Sequence, residues 1–216
     1  FKQIDAYTNK NIIVSSSTSG LIMSDMQDGL ENARRFIVGH PFNPPHLIPL
    51  VEVLGGKNTD VLAVDWAINF YNQIGKHAIK LKKEVPGHLA NRLQAALWRE
   101  AVLAVQNDLA SVEDINAAVA MGPGLRWALM GPHMIMNLTG GASGYRKMLD
   151  DFGPGIAGWW KTMNENPQLS EVLKKELITG IEEEARGRSI SQLEEERDEQ
   201  LVELLKMLKN LKKTDH

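Results

Sequence analysis

Apolar positions over the first 85 residues come in short runs with the length of buried strands. Asn11-Ile12-Ile13-Val14-Ser15, Arg35-Phe36-Ile37-Val38-Gly39, Pro49-Leu50-Val51-Glu52-Val53-Leu54 and His77-Ala78-Ile79-Lys80-Leu81 each read as one strand. Gly55-Gly56 ends the third. Between the last two the rhythm changes. From Thr59 to Ile74 the apolar residues Val61, Leu62, Ala67, Ile68, Tyr71 and Ile74 recur at helical spacing, and Gly75 is placed to end that helix. Strands alternating with helices predict an α/β layer structure.

The pattern changes at Val85-Pro86-Gly87, after which no segment reads as a strand. A long helix is predicted over 87–107. Ser111 opens another, with Glu113 and Asp114 in its first turn. Helical stretches follow near Trp127–Leu138, Tyr145–Asp151 and Ser170–Glu184, and Ser189 caps a last one running to about Lys212. There Leu193, Leu201, Leu204, Leu205, Leu208 and Leu211 form an apolar stripe, expected to pack on its own domain or on a sister subunit. Glu194-Glu195-Glu196 reads as a solvated face. The fold class is therefore α/β plus all-α, with a joint at residues 85–87. So few strands suggest part of a sheet rather than all of one.

Composition narrows the function. The 216 residues are 43% hydrophobic and 24% charged, ordinary for a packed domain. A net charge of −3 makes no electrostatic case for nucleic acid or an anionic membrane. Cys is absent, which excludes disulfides, thiolate catalysis and Cys-ligated zinc. No metal site is expected. The lack of Cys fits a reducing compartment, and the chain is read as cytoplasmic. No apolar run approaches the ~20 residues of a membrane span. Phe1-Lys2-Gln3-Ile4 has neither a signal peptide's basic region nor an initiator Met, so a start further upstream is expected. Gly153-Pro154-Gly155-Ile156-Ala157-Gly158 matches the dinucleotide-binding pattern literally. It follows a helix-like stretch, though, and Pro154 lacks an N–H, so a turn between helices is expected there. Gly140 to Gly144 likewise reads as a loop.

One segment carries chemistry. In Gly39-His40-Pro41-Phe42-Asn43-Pro44-Pro45 a His at a strand end is followed by a loop that its prolines stiffen. Strand ends of α/β sheets are where ligands sit. Glu52 lies inside an apolar strand, where an unpaired carboxylate is costly, and His40 is a sensible partner. A carboxylate on one ring nitrogen fixes the tautomer and leaves the other nitrogen for proton transfer. Two other readings stay open at this level: Glu52 facing water from an edge strand, and His40 satisfying a loop carbonyl. His46, His77, His88, His133 and His216 have no comparable setting.

Four motifs occur in one order over roughly residues 1–135: Ser16-Ser17-Thr18-Ser19-Gly20-Leu21, Gly39 to Pro45 as quoted, Leu50-Val51-Glu52-Val53, and Pro86-Gly87-His88-Leu89-Ala90-Asn91-Arg92-Leu93. Together they resemble the 3-hydroxyacyl-CoA dehydrogenase family. The resemblance implies the C-terminal part of a Rossmann-like NAD-binding domain over residues 1–85. A helical, 6-phosphogluconate-dehydrogenase-like domain for substrate binding and dimerisation would then cover 86–216. It implies NAD as cofactor, a homodimer, and Ser19, His40, Glu52 and Asn91 as active-site residues. His40 would take the proton of the substrate 3-hydroxyl while Glu52 orients it. Ser19 and Asn91 would hold the substrate oxygen, and Ser19 and Asn43 would lie at the nicotinamide. The family's first strand, Gly-rich turn and ribose-binding acid have no counterpart in these residues. They are expected upstream of Phe1, so the 216 residues alone should bind NAD poorly and be inactive.

Gly122-Pro123-Gly124-Leu125-Arg126-Trp127-Ala128-Leu129-Met130-Gly131-Pro132, and Phe152-Gly153-Pro154 with Trp159-Trp160, resemble the branch of carnitine dehydrogenases and the gulonate dehydrogenase related to lambda-crystallin. The substrate implied is a small 3-hydroxy acid, with Arg126 either pairing its carboxylate or serving as a structural ion pair. Trp159 and Trp160 invite an aromatic cage for a trimethylammonium group. Neighbours on a helix point about 100° apart, so hydrophobic packing is expected of them instead. Two alternatives stand beside this one. One is a (S)-3-hydroxyacyl-CoA substrate, with Lys80, Lys82 and Lys83 near its phosphates. The other is a non-catalytic dimerising fragment.

Overall fold

The structure, a computed structural model, describes residues 1–211. The chain divides into two compact units, Phe1–Ala96 and the residues from Leu97 onward.

The first unit is built on a four-stranded sheet of order β1 (Val14–Ser16), β2 (Phe36–Pro41), β3 (Leu50–Gly55) and β4 (His77–Lys80). β1 runs parallel to β2 and β3 parallel to β4, while β2 and β3 are antiparallel. Successive side chains of a strand point to opposite faces, and in the central strands β2 and β3 both faces are buried. Ile37, Val51 and Val53 pack on Ala63, Val64 and Ala67 of helix α3 (Val61–Gln73). Asp60 caps that helix by accepting the Leu62 N–H. On the other face Phe36, Val38 and Leu54 meet Met23 of the short helix α2 (Met23–Met26). By the same alternation His40 and Glu52 belong to this second face.

The first strand begins later than the apolar pattern suggests, at Val14 rather than Asn11. The reason is a competing set of bonds. Asn9 holds the N–H groups of Asn11 and Ile12, and the Ile12 carbonyl accepts from Arg35. Arg35 also anchors helix α1 (Lys2–Tyr7), which the pattern did not announce. Its guanidinium reaches the Asn9 carbonyl at 2.9 Å, Thr8 Oγ1 at 2.9 Å and the Asp5 carboxylate at 3.0 Å, with both side chains 4% exposed. The other Asp5 oxygen accepts the N–H groups of Glu31 and Asn32.

The second unit is helical. Helix α4 (Ala90–Gln106) runs into it from the first, followed by α5 (Val112–Ala120), α6 (Pro123–Leu129), α7 (Pro132–Thr139), α8 (Gly144–Thr162), α9 (Glu171–Ala185) and α10 (Ile190–Leu211). Ser111 and Ser170 cap α5 and α9 through the N–H groups of Asp114 and Leu173. Two expectations are corrected. The stretch near Trp127–Leu138 is two helices, because Pro132 forces the residue before it out of the helical region: Gly131 is extended at ψ 166°. Gly153–Gly158 is not a turn but lies inside α8, with Pro154 in the helix interior. The helix continues through Pro154 at the loss of one backbone bond. Gly140–Gly144 contains a short 3-10 turn, Gly141–Ser143. The expected end of the last helix, Lys212, lies outside the described residues, as does His216. Among the described residues no helix is long and apolar enough to cross a membrane.

Asp5→Asn tests the anchor. Removing one partner of a buried ion pair strands the other, so a loss of about 3–5 kcal/mol is expected at pH 7 by urea unfolding. The Asn32 backbone N–H, then burial acting the opposite way, then the Arg35 bond set the Asp5 carboxyl, which ends below its usual 3.8. A lowered folded-state value stabilises above the unfolded value and is lost as pH falls through the folded one. The wild type should therefore weaken on acidification below about pH 4 more steeply than Asp5→Asn. Equal stability at pH 7, or parallel acid slopes, would refute the assignment.

Candidate active site

The cluster begins with strand register. In the antiparallel pair β2–β3, His40 stands directly opposite Glu52. Directly opposed residues share a face with Cβ atoms about 5 Å apart. The spacing of twelve residues is thus the spacing of a hairpin pair, with the proline-rich loop 42–49 as its turn. His40 Nδ1 lies 2.9 Å from Glu52 Oε2, the side chains being 6% and 0% exposed. A carboxylate only accepts, so Nδ1 carries the proton and the neutral ring has its lone pair at Nε2. Such a ring can take a proton from a hydroxyl.

What holds Glu52 comes from elsewhere in the chain. Its Oε1 accepts the backbone N–H groups of Leu89 at 3.0 Å and Ala90 at 2.9 Å. These belong to the start of α4, where the first N–H groups have no intrahelical partner and the helix dipole favours an anion. The buried carboxylate therefore has a full set of donors, which removes the cost of its burial.

The same turn organises the loop after β1. Asn91 Nδ2 donates to the Ser19 carbonyl at 2.8 Å, and His88 Nε2 lies 3.1 Å from the Thr18 carbonyl. Ser19, His40, Glu52 and Asn91 are thus brought together by one connected set of bonds. Ser19 is exposed on its loop, and Asn43 is exposed three residues beyond His40. Arg126 belongs to the second unit, exposed in the last turn of α6. Trp159 and Trp160 are 68% and 64% exposed on α8. Among the described residues no group of three or more His, Asp or Glu converges as metal ligands.

Sequence reasoning missed His88, which it grouped with histidines lacking a functional setting. It is fully buried, with a positive φ of 51°, and its ring lies 5.4 Å from that of His40 at an interplanar angle of 50°. The one local signal was its place after Pro86-Gly87 at a helix start. The contact to His40 is long-range, and no periodicity encodes it.

Comparison with known proteins follows the two-part architecture. Residues 1–85 match the family model for the 3-hydroxyacyl-CoA dehydrogenase NAD binding domain, and residues 87–179 match that for the C-terminal domain of the same family. An L-carnitine dehydrogenase of Streptomyces griseus is 50% identical over 204 residues, covering 94% of this chain and 61% of the relative. One from Bacillus cereus is 43% identical over 206 residues, covering 95% and 63%. The chain spans 61% to 64% of the length of several such curated relatives. Among solved structures, 5-formyl-3-hydroxy-2-methylpyridine 4-carboxylic acid 5-dehydrogenase, described as an NAD+-dependent dismutase, superposes with a TM-score of 0.79 at 26% identity, covering 97% of this chain and 68% of that one. The (S)-3-hydroxybutyryl-CoA dehydrogenase of Ralstonia eutropha gives 0.55 at 25% identity, covering 83% and 59%.

Glu52→Gln tests the geometry without reference to turnover. The Gln carbonyl can keep the Leu89 and Ala90 N–H groups, but its NH2 then faces His40 Nδ1. The ring proton should move to Nε2, visible in imidazole 15N shifts, with a stability loss of about 1.5–3 kcal/mol. A ring proton that stays on Nδ1 would overturn the tautomer argument.

Proposed function

The chain belongs to the 3-hydroxyacyl-CoA dehydrogenase family, and from that premise we propose that it carries the proton-transfer machinery of an NAD-dependent oxidation of a small 3-hydroxy acid, L-carnitine foremost. The observation that carries the reading is the buried His40–Glu52 pair locked onto the start of α4. The choice of a small acid rests on relatives at 39% to 50% identity that are named L-carnitine dehydrogenase. Domain roles follow the same reading: residues 1–85 for the nucleotide, 86–216 for substrate and for pairing into a homodimer. Exposed Trp98, Ile178 and Ile181 in the helical unit favour such pairing.

The residues present fit the nicotinamide end of NAD. β1 and β2 are parallel, so their C-terminal ends open on one side of the sheet, the side where ligands of such sheets bind. The loops there present exposed Ser17, Ser19 and Asn43. Asn43 would meet the nicotinamide carboxamide, and Ser19 would border the ring. Among the described residues no G-x-G-x-x-G turn joins a strand to a helix, so no pyrophosphate contact is assigned. When bound, NAD supplies the hydride acceptor.

The remaining steps fall to side chains of this chain. As the C3–H bond breaks and its electron pair leaves, the O–H bond breaks too and its proton passes to His40 Nε2, leaving a C=O group. Glu52 keeps the imidazole in the tautomer that can accept, then faces the imidazolium through Nδ1–H. Ser19 Oγ–H and the second N–H of Asn91 Nδ2, the first being given to the Ser19 carbonyl, donate to the substrate oxygen and hold it within reach of His40. Arg126 remains the candidate for the substrate carboxylate on the chemistry of its planar guanidinium.

A second reading is a 3-hydroxybutyryl-CoA substrate, favoured by the likeness to the Ralstonia enzyme. Of its candidate phosphate contacts, Lys80 is already paired with Asp65 at 2.6 Å, while Lys82 and Lys83 are exposed.

The test is NADH production by the gene product at its natural length, offered L-carnitine, gulonate, 3-hydroxybutyrate and 3-hydroxybutyryl-CoA in parallel. Turnover confined to a free acid is expected, and turnover with the thioester alone would discard the small-acid reading. His40→Gln should lower kcat about 100- to 10,000-fold in a variant that still folds, as checked by circular dichroism. Near-normal turnover in that variant would remove His40 as the base.

A further inference from the structure

His88 has no role in the scheme above, yet it sits against its central residue. Its side chain is fully buried, and its backbone lies in the left-handed region that favours glycine, immediately after Gly87 with φ 77°. Its Nε2 meets the Thr18 carbonyl, which only accepts, so Nε2 carries the proton. Nδ1 is buried and has no hydrogen-bond partner among the described residues. Strained backbone and an unsatisfied buried acceptor both oppose this placement, and both persist only where surrounding contacts over-determine it.

Those contacts all lead to the site. Residues 88 to 91 act on it without a gap: His88 holds the Thr18 carbonyl, the N–H groups of Leu89 and Ala90 hold Glu52, and Asn91 holds the Ser19 carbonyl. The His88 ring also lies against the His40 ring. We propose that His88 is a positioning residue that joins the loop carrying Ser19 to the imidazole of His40, setting the substrate-holding hydroxyl and the proton acceptor in one register. The inference rests on the reading of His40 as the general base. It assigns His88 two separable tasks: the Nε2–H bond fixes the loop, and the ring limits rotation of His40.

Two variants separate the tasks in the gene product at its natural length. His88→Phe keeps a ring against His40 and loses the donor to Thr18. KM for the hydroxy acid should rise about 10-fold, the worth of one hydrogen bond, with kcat and its pH profile little changed. His88→Gln can keep a donor for Thr18 and loses the ring. There kcat should fall about 10-fold while KM holds, as the base leaves its productive orientation. A residue that serves stability alone would lower Tm in both variants without dividing KM from kcat, and that result would overturn the proposal.

A third measurement needs no turnover. The Gly20 and Leu21 N–H groups bond to Thr18 Oγ1 inside the loop. Their hydrogen exchange should quicken in His88→Phe and stay near wild type in His88→Gln. If the wild type turned over none of the four substrates, the functional reading would fall while this exchange pattern still decided the loop-fixing task. An active wild type with unmoved exchange and kinetics in both variants would sink the proposal alone.

Discussion

The first unit depends on one buried carboxylate with partners on two sides. Glu52 is fully enclosed and answers to His40 on the neighbouring strand and to two N–H groups at the start of α4. Neither side alone would suffice. Without the helix start, one oxygen of a buried anion would lack donors. Without His40, the other would. An unpaired buried charge costs enough to shift or unfold the structure around it. The carboxylate therefore couples the β2–β3 register to the placement of α4.

The sheet is shaped to deliver that pair. Gly39, beside His40, faces the opposite side, where Ser15 of β1 bonds to Tyr71 of α3 at 3.0 Å. A Cβ at Gly39 would lie 2.4 Å from the Tyr71 hydroxyl and 2.6 Å from Ser15 Oγ. Glycine lets β2 lie close enough for β1 and α3 to meet across it. Strand alternation then turns the next residue, His40, to the other face, where Glu52 waits. Packing on one side of the strand thus sets the placement of His40 on the other.

How legible was this in the sequence? The α/β-to-helical order was, because short apolar runs and a 3.6-residue spacing report local burial directly. The pairing of His40 with Glu52 was legible as a chemical need, a carboxylate in an apolar strand asking for a partner. Its basis in cross-strand register emerged only with the hairpin. The Asp5–Arg35 anchor was not legible, since α1 is short and its partner lies thirty residues on. Pro132 was under-read as a helix boundary, and Pro154 was over-read as one. The two prolines differ in place: Pro132 stands at a helix start, where an N–H has no intrahelical partner to lose, whereas Pro154 stands inside α8, which carries the loss of one bond.

The deepest gap concerns residues 88 to 91. Two of these four act through backbone N–H groups, which every residue except proline possesses. Leu89 has 45% of its surface exposed, so its side chain says nothing about the carboxylate its amide holds. A site made partly of main chain leaves no trace in composition or spacing. It leaves a constraint on conformation instead, and here that constraint surfaces as two consecutive residues with positive φ, Gly87 and His88, immediately before the helix. Glycine is the ordinary solution at such a position. The second of the pair is a histidine, so a side chain is kept where the backbone would favour having none. That conflict between local preference and observed residue is where function is most readily sought, because natural sequences otherwise agree with themselves across levels.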